Sequence, residues 1–158
     1  MRVTVVAVGR PGRLFGGIIA EYERRAARYW SFESVDVRAE SSTGGKPAAT
    51  VRAAEGTRLL ARVPDGAEVV ALTRAGRSWS SYRLAEYLEG LAVSGRPGAA
   101  FLIGGAYGLD DAVLQRARYR LALSSLTLPH DLARLVLVEQ LYRAGTILRG
   151  EPYHKAIE

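Results

Sequence analysis

Five short runs rich in Val, Ala, Leu and Ile recur along the chain, and a stretch with helical spacing of apolar residues separates or follows most of them. The runs are VTVVAVG (3–9), FESVDVRAE (32–40), AEVVALT (67–73), AAFLIGG (99–105) and YRLALSS (119–125). β-Branched and alternating apolar residues bounded by Gly or Ser suit extended strands. Between the first two lies LFGGIIAEYERRAARYW, in which Leu14, Ile18, Ile19, Tyr22 and Ala26 return at helical spacing as inward candidates. SSTGGKPAAT reads as a mobile loop, and the helix after it offers Val51, Leu59 and Leu60 to a core. Ser80 or Ser81 can cap the next helix, YRLAEYLEGLAV, which SGRPG ends; LDDAVLQRAR is a further helix with acids at its start. Strands alternating with helices predict an α/β fold, a mostly parallel sheet flanked by helices on both faces.

The last helix, from about Asp131 to Leu148, sets a further constraint. Leu132, Leu135, Val136, Val138, Leu141, Tyr142 and Leu148 cover more than half its circumference, leaving Glu139, Gln140 and Arg143 on one side. A helix this apolar needs two surfaces to bury against: its own sheet and, by expectation, a second copy of the chain. A length of 158 residues suits a single domain spanning 1–158. With no Cys, thiol catalysis and Cys-based zinc sites are excluded, and two His are too few for a His-rich centre, so no metal is expected. The N-terminal apolar run is too short for a signal peptide and none is long enough for a membrane helix, so a cytoplasmic protein with no membrane partner is expected. A net charge of +6 and a pI near 10.0 favour a polyanionic partner, although the basic residues, all Arg except Lys46 and Lys155, are dispersed.

In a parallel sheet, ligands collect at the carboxyl ends of strands, which here are ALT (71–73), IGG (103–105) and LSSLTL (123–128). GGAYG (104–108) lacks both the Lys-Ser/Thr of a P-loop and the spacing of a dinucleotide fingerprint. Ser124, Ser125 and Thr127 lie near His130, but Pro129 intervenes and no third orienting group is specified, so the hydroxyls read as partners for loop backbone. In GEPYHKAIE, Tyr153, His154 and Lys155 set an aromatic ring, an imidazole and a cation side by side; taken alone this is a polar terminus.

The stretch FLIGGAYGLDDAVLQRARYRLALSSLTLPHDLARLVLVEQLYRAGTILRGEPYHK closely resembles the C-terminal half of the ribosomal RNA large-subunit methyltransferase H family, bacterial enzymes of the SPOUT class. The likeness continues upstream through VVALTRAGRSWSS, GIIAEYERRAARY and VTVVAVG, covering nearly the whole chain. It implies a C-terminal deep trefoil knot, which general topology disfavours. It also implies transfer of the methyl group of S-adenosylmethionine to N3 of a pseudouridine in a hairpin loop of 23S ribosomal RNA, on the assembled ribosome, by a homodimer. Carried over as cofactor positions are Leu72, Gly104, Leu123, Ser124, Ser125, Leu126, Thr127 and Leu128. Backbone groups of the loop would meet an adenine edge, the leucines would wall off water, and Pro129 would fix φ where loop becomes helix. Tyr153 would orient the base and His154 would accept a proton or bind backbone at the partner's pocket, while Arg134 and Lys155 would neutralise phosphates.

Two positions depart from the family pattern. Thr73 stands where Asp is usual, removing any contact that carboxylate makes, and Gly145 stands where an aromatic residue is usual, taking bulk from the helix expected at the dimer interface. Two other readings compete: a basic ribosome-binding or assembly module that keeps the fold without useful chemistry, and a SPOUT enzyme acting on transfer RNA. Intact cofactor positions speak against the first, and the absence of a separate RNA-binding domain against the second.

Overall fold

The computed structural model describes residues 1–156. Its elements are β1 (Arg2–Val8), α1 (Arg13–Ala26), β2 (Ser31–Val37), α2 (Ala48–Leu60), β3 (Glu68–Ser78), α3 (Ser81–Val93), β4 (Gly98–Ile103), α4 (Asp111–Arg116), β5 (Tyr119–Ala122) and α5 (His130–Leu148), followed by a 3-10 turn at Pro152–Ala156. The five strands form one sheet in the order β2-β1-β4-β3-β5, and every pairing is parallel. The expected α/β sheet is therefore present.

Period-two alternation divides the central strands between two cores. Val3, Val5 and Ala7 of β1 with Phe101 and Ile103 of β4 face α1, α3 and α5, whose Ile19, Leu88, Leu137 and Leu141 are buried against them. Val6 and Val8 with Ala100 and Leu102 face α2 and α4 through Leu59 and Val113. Both faces are covered, which is why β1 and β4 read as continuous apolar runs.

Several expectations need correction. Leu14 is 84% exposed and Ile18 47% exposed, so α1 buries Ile19 and Ala26 and turns those two residues outward. The loop before α2 is tied at its base: Glu40 pairs with Lys46 at 3.0 Å and with Arg58 at 2.5 Å. β3 runs past Thr73, and Leu121 of β5 stands opposite both Leu72 and Arg77, with residues 73–76 forming the break in register. Gly76 fits there because a Cβ would lie 2.6 Å from the backbone carbonyl carbon of Arg120. At Gly145, the bulk thought missing is supplied by another residue: a Cβ there would lie 2.6 Å from Cδ2 of Tyr29, whose ring fills the space.

α5 packs against both α1 and α3, and its polar side is part of the packing. Ser81 on α3 donates to Gln140 at 2.5 Å, and Trp30 donates from its indole nitrogen to the Leu141 carbonyl at 2.9 Å. Pro129 precedes the helix with φ −54° and ψ 148°, its carbonyl accepting from Ala133. The ring costs nothing at this point, since first-turn N–H groups lack helical partners. Among the described residues no helix is long and apolar enough to cross a membrane.

Candidate functional site

The carboxyl ends of β3, β4 and β5 meet in a cavity of about 720 Å³. Leu72, Thr73 and Arg74 line it from β3, Ile103 to Ala106 from β4, and Leu121 onward from β5. Of the eight carried-over cofactor positions, Leu72, Gly104, Leu123, Ser124, Leu126, Thr127 and Leu128 line the cavity, and Ser125 does not. The pocket thus gathers residues separated by some fifty positions in sequence, which parallel strand order makes adjacent.

Each wall has a local physical cause. Gly104 packs against backbone, since a Cβ would lie 2.8 Å from the carbonyl carbon of Gly108. Gly108 has φ +80° and donates its N–H to the Gly105 carbonyl at 3.1 Å, closing a tight turn that only glycine adopts at low cost. Across the pocket, residues 123–129 are neither helix nor strand. The Ser124 hydroxyl accepts from the Leu126 N–H at 2.9 Å, so one hydroxyl does satisfy loop backbone as expected. Arg74 donates to the Thr127 hydroxyl at 2.6 Å, joining the β3 and β5 loops. Thr73 lines the pocket and accepts from the Ala75 N–H at 3.4 Å, its hydroxyl serving the turn where a carboxylate was expected from the family pattern.

A residue missed in the sequence supports the glycine turn from beneath. Glu55 is 3% exposed, accepts from the Glu40 N–H at 3.1 Å through Oε2, and leaves Oε1 without a partner among the described residues. A Cβ on Gly105 would lie 2.9 Å from that Oε1. The available signal was its spacing: Val51, Glu55 and Leu59 fall on one stripe of α2, placing an acid among core residues.

The terminal residues lie elsewhere on the chain. Tyr153 donates to Glu139 at 3.0 Å, meets the Tyr142 ring at a 56° tilt with centroids 4.6 Å apart, and lies beneath the Arg143 guanidinium. Burial first, then hydrogen bonds with Tyr22 and Glu139, push its phenol well above the ordinary tyrosine range. His154 meets Tyr82 edge to face at 6.3 Å, with Nδ1 buried and unpartnered among the described residues. Neither residue lines the cavity of its own chain, and Lys155 is exposed beside them.

Arg134 must be reassigned. It is 5% exposed, and its guanidinium donates to Asp36 at 2.5 Å, Ser34 at 2.6 Å and Glu23 at 3.3 Å. A group committed to two carboxylates inside the fold offers no phosphate contact, so Arg134 joins α5 to β2 and α1 instead of touching RNA.

An open parallel sheet with its pocket at three strand ends, closed by a glycine turn and an irregular apolar loop, matches a known class. The family model described as a predicted SPOUT methyltransferase matches residues 1–154. A solved structure described as a probable methyltransferase from Bordetella pertussis Tohama I shares the fold, with TM-score 0.55 and 17% identity, covering 90% of this chain and 93% of that one. Sequence relatives narrow the class. The ribosomal RNA large subunit methyltransferase H of Gemmatimonas aurantiaca is 47% identical over 156 residues, 98% of this chain and 100% of that protein. The protein of the same name from Anaeromyxobacter sp. (strain Fw109-5) is 49% identical over 156 residues, with the same coverage. A putative one from Methanoregula boonei is 45% identical over 159 residues, covering 98% of this chain and 100% of its own. The chain belongs to the ribosomal RNA large subunit methyltransferase H family.

Proposed function

We propose that this protein transfers the methyl group of S-adenosylmethionine to N3 of a pseudouridine in a hairpin loop of 23S ribosomal RNA, on the assembled ribosome, acting as a homodimer in the cytoplasm. The observation that carries this reading is the single cavity formed by the three strand-end loops in a chain of this family. Its residues fit the cofactor. Leu123, Leu126 and Leu128 offer apolar surface, Leu126 standing 72% exposed at the mouth, while Gly104 and Gly105 bring backbone to the wall without Cβ atoms. The bound cofactor supplies an electrophilic methyl on a sulfonium centre. The deep trefoil crossing belongs to the same proposal; the close packing of Gly76 on the backbone of Arg120 and Leu121 supports it.

The chain's own residues then hold the acceptor and move its proton. N3 of pseudouridine carries a weakly acidic proton that must leave as the methyl arrives. Tyr153, whose phenol O–H is held by Glu139, orients the base; His154 is left as the proton acceptor, at the partner's pocket. Leu14 and Ile18, one turn apart and exposed on α1, support burial against a second copy. Lys155 neutralises phosphate. The direct test is incubation with methyl-labelled S-adenosylmethionine and ribosomes lacking the modification, followed by mass spectrometry of the nucleosides. Label in N3-methylpseudouridine is expected; cofactor binding with label in another nucleoside, or none, overturns the assignment.

A further inference from the structure

On the other side of the β3 register break, the same two strands form a second groove, of about 770 Å³. Residues 72–74 with Leu121 and Leu123 border the first cavity, whereas 75–79 and 117–120 border this one. Arg77, Arg83, Arg118 and Arg120 line it, and no acidic side chain does. Arg83 approaches Glu86 at only 3.9 Å, and Arg120 donates to the Leu114 carbonyl at 3.2 Å; Arg77 and Arg118 make no salt bridge among the described residues. All four are exposed. Four clustered cations with only Glu86 near one of them repel one another unless an anion sits among them. The floor is aromatic: Trp79 and Tyr119 meet edge to face at 5.3 Å, with Arg83 over the first ring and Arg118 over the second. Guanidinium groups held against rings at a groove lip combine phosphate pairing with a stacking surface.

We propose that this groove is a second binding site, one that takes the phosphate backbone of an RNA strand flanking the target loop. The proposal rests on the reading of the substrate as RNA and adds where that substrate is gripped. Because Leu72 and Arg77 are five positions apart, a strand in the groove lies within roughly 18 Å of the first cavity, the reach of extended chain. Positive charge dispersed in the sequence is concentrated here by strand pairing, which brings Arg77 opposite Leu121.

The test compares the full chain with its R77Q/R118Q/R120Q variant, using an oligouridylate of about twelve nucleotides and fluorescence anisotropy at several salt concentrations. With roughly 0.7 counterions released per single-strand phosphate, loss of three contacts should flatten the slope of log affinity against log salt by about 2. Between 50 and 200 mM salt the parent should then lose roughly twenty-fold more affinity than the variant. S-adenosylmethionine binding and melting temperature should stay unchanged, and ultraviolet cross-links of the parent should map to the peptides holding Trp79 and Tyr119. An unchanged slope, or cross-links confined to other peptides, overturns the proposal. So does displacement of the RNA by polyglutamate at equal charge concentration, which assigns the groove to an acidic protein. If the slope flattens but the parent leaves ribosomes unlabelled, the groove stands and the methylation reading fails.

Discussion

Replacing Arg134 with Met separates a structural cation from an RNA contact. Met keeps most of the length and apolar character of the stem, so the change isolates the guanidinium bonded to Asp36, Glu23 and Ser34. Removing one member of a buried ion pair costs about 3–5 kcal/mol, because the remaining charge is left without compensation. The side chains of Asp36 and Glu23 retain 30% and 22% exposure, so water relieves part of that cost and about 3 kcal/mol is expected. Unfolding entropy near 2.1 cal/mol/K per residue gives roughly 0.33 kcal/mol/K for 158 residues, and a fall in Tm of about 9 °C. Calorimetry at one fixed protein concentration measures this, since any self-association would make Tm depend on concentration. Adding Asp36→Asn and Glu23→Gln to Arg134→Met should recover most of the loss by removing the stranded charges. The salt dependence of ribosome binding should match the parent. A destabilisation below about 1 kcal/mol together with a salt slope flattened by roughly 0.7 would place Arg134 on the RNA after all.

Other positions give independent checks. Gly145→Ala forces the Tyr29 ring aside and should cost about 1–3 kcal/mol; in a double-mutant cycle by urea denaturation, Tyr29→Ala should make the two changes less than additive, and strict additivity would show that the ring does not fill the site. Ser80→Ala removes the hydroxyl that accepts from the Arg83 N–H at 3.1 Å, and a loss of about 1 kcal/mol in the same assay is expected. Burial, then the hydrogen bond to Glu151, raises the Tyr29 phenol to about 12. The folded chain holds that proton more tightly than the unfolded one, so the contribution is complete below about pH 10 and is lost as pH rises towards 12. The urea midpoint should therefore fall across this range, and less steeply for Tyr29→Phe.

The strand and helix alternation was legible because each central strand is buried on both faces, and each run therefore had to be apolar throughout. The extension of β3 through Arg74–Ser78 was not, because those residues carry no alternation and the strand resumes only where Arg77 and Ser78 pair with β5, some forty residues later. Leu14 and Ile18 share the spacing of Ile19, and spacing alone cannot say which stripe meets the sheet. The irregular loop at 123–129, which walls the cavity, was recognisable as a contiguous motif. Arg134 misled because its partners Asp36 and Glu23 are about a hundred residues away, although an arginine in register with Leu137, Val138 and Leu141 on α5 carried a hint of burial. The second groove had no local signature, since its arginines come from two strands and a helix start.

The placement of α5 affects how the protein is made. Until the residues after about 119 leave the ribosome, Val3, Val5 and Phe101 lack the cover of Leu137 and Leu141, and the first cavity lacks an entire wall. A nascent chain shorn of β5 and α5 carries four strands with one oily face only partly covered, by α1 and α3, an invitation to self-association during synthesis. The strand-end cavity is therefore completed only in the last moments of translation, and truncated products should be cleared as insoluble debris.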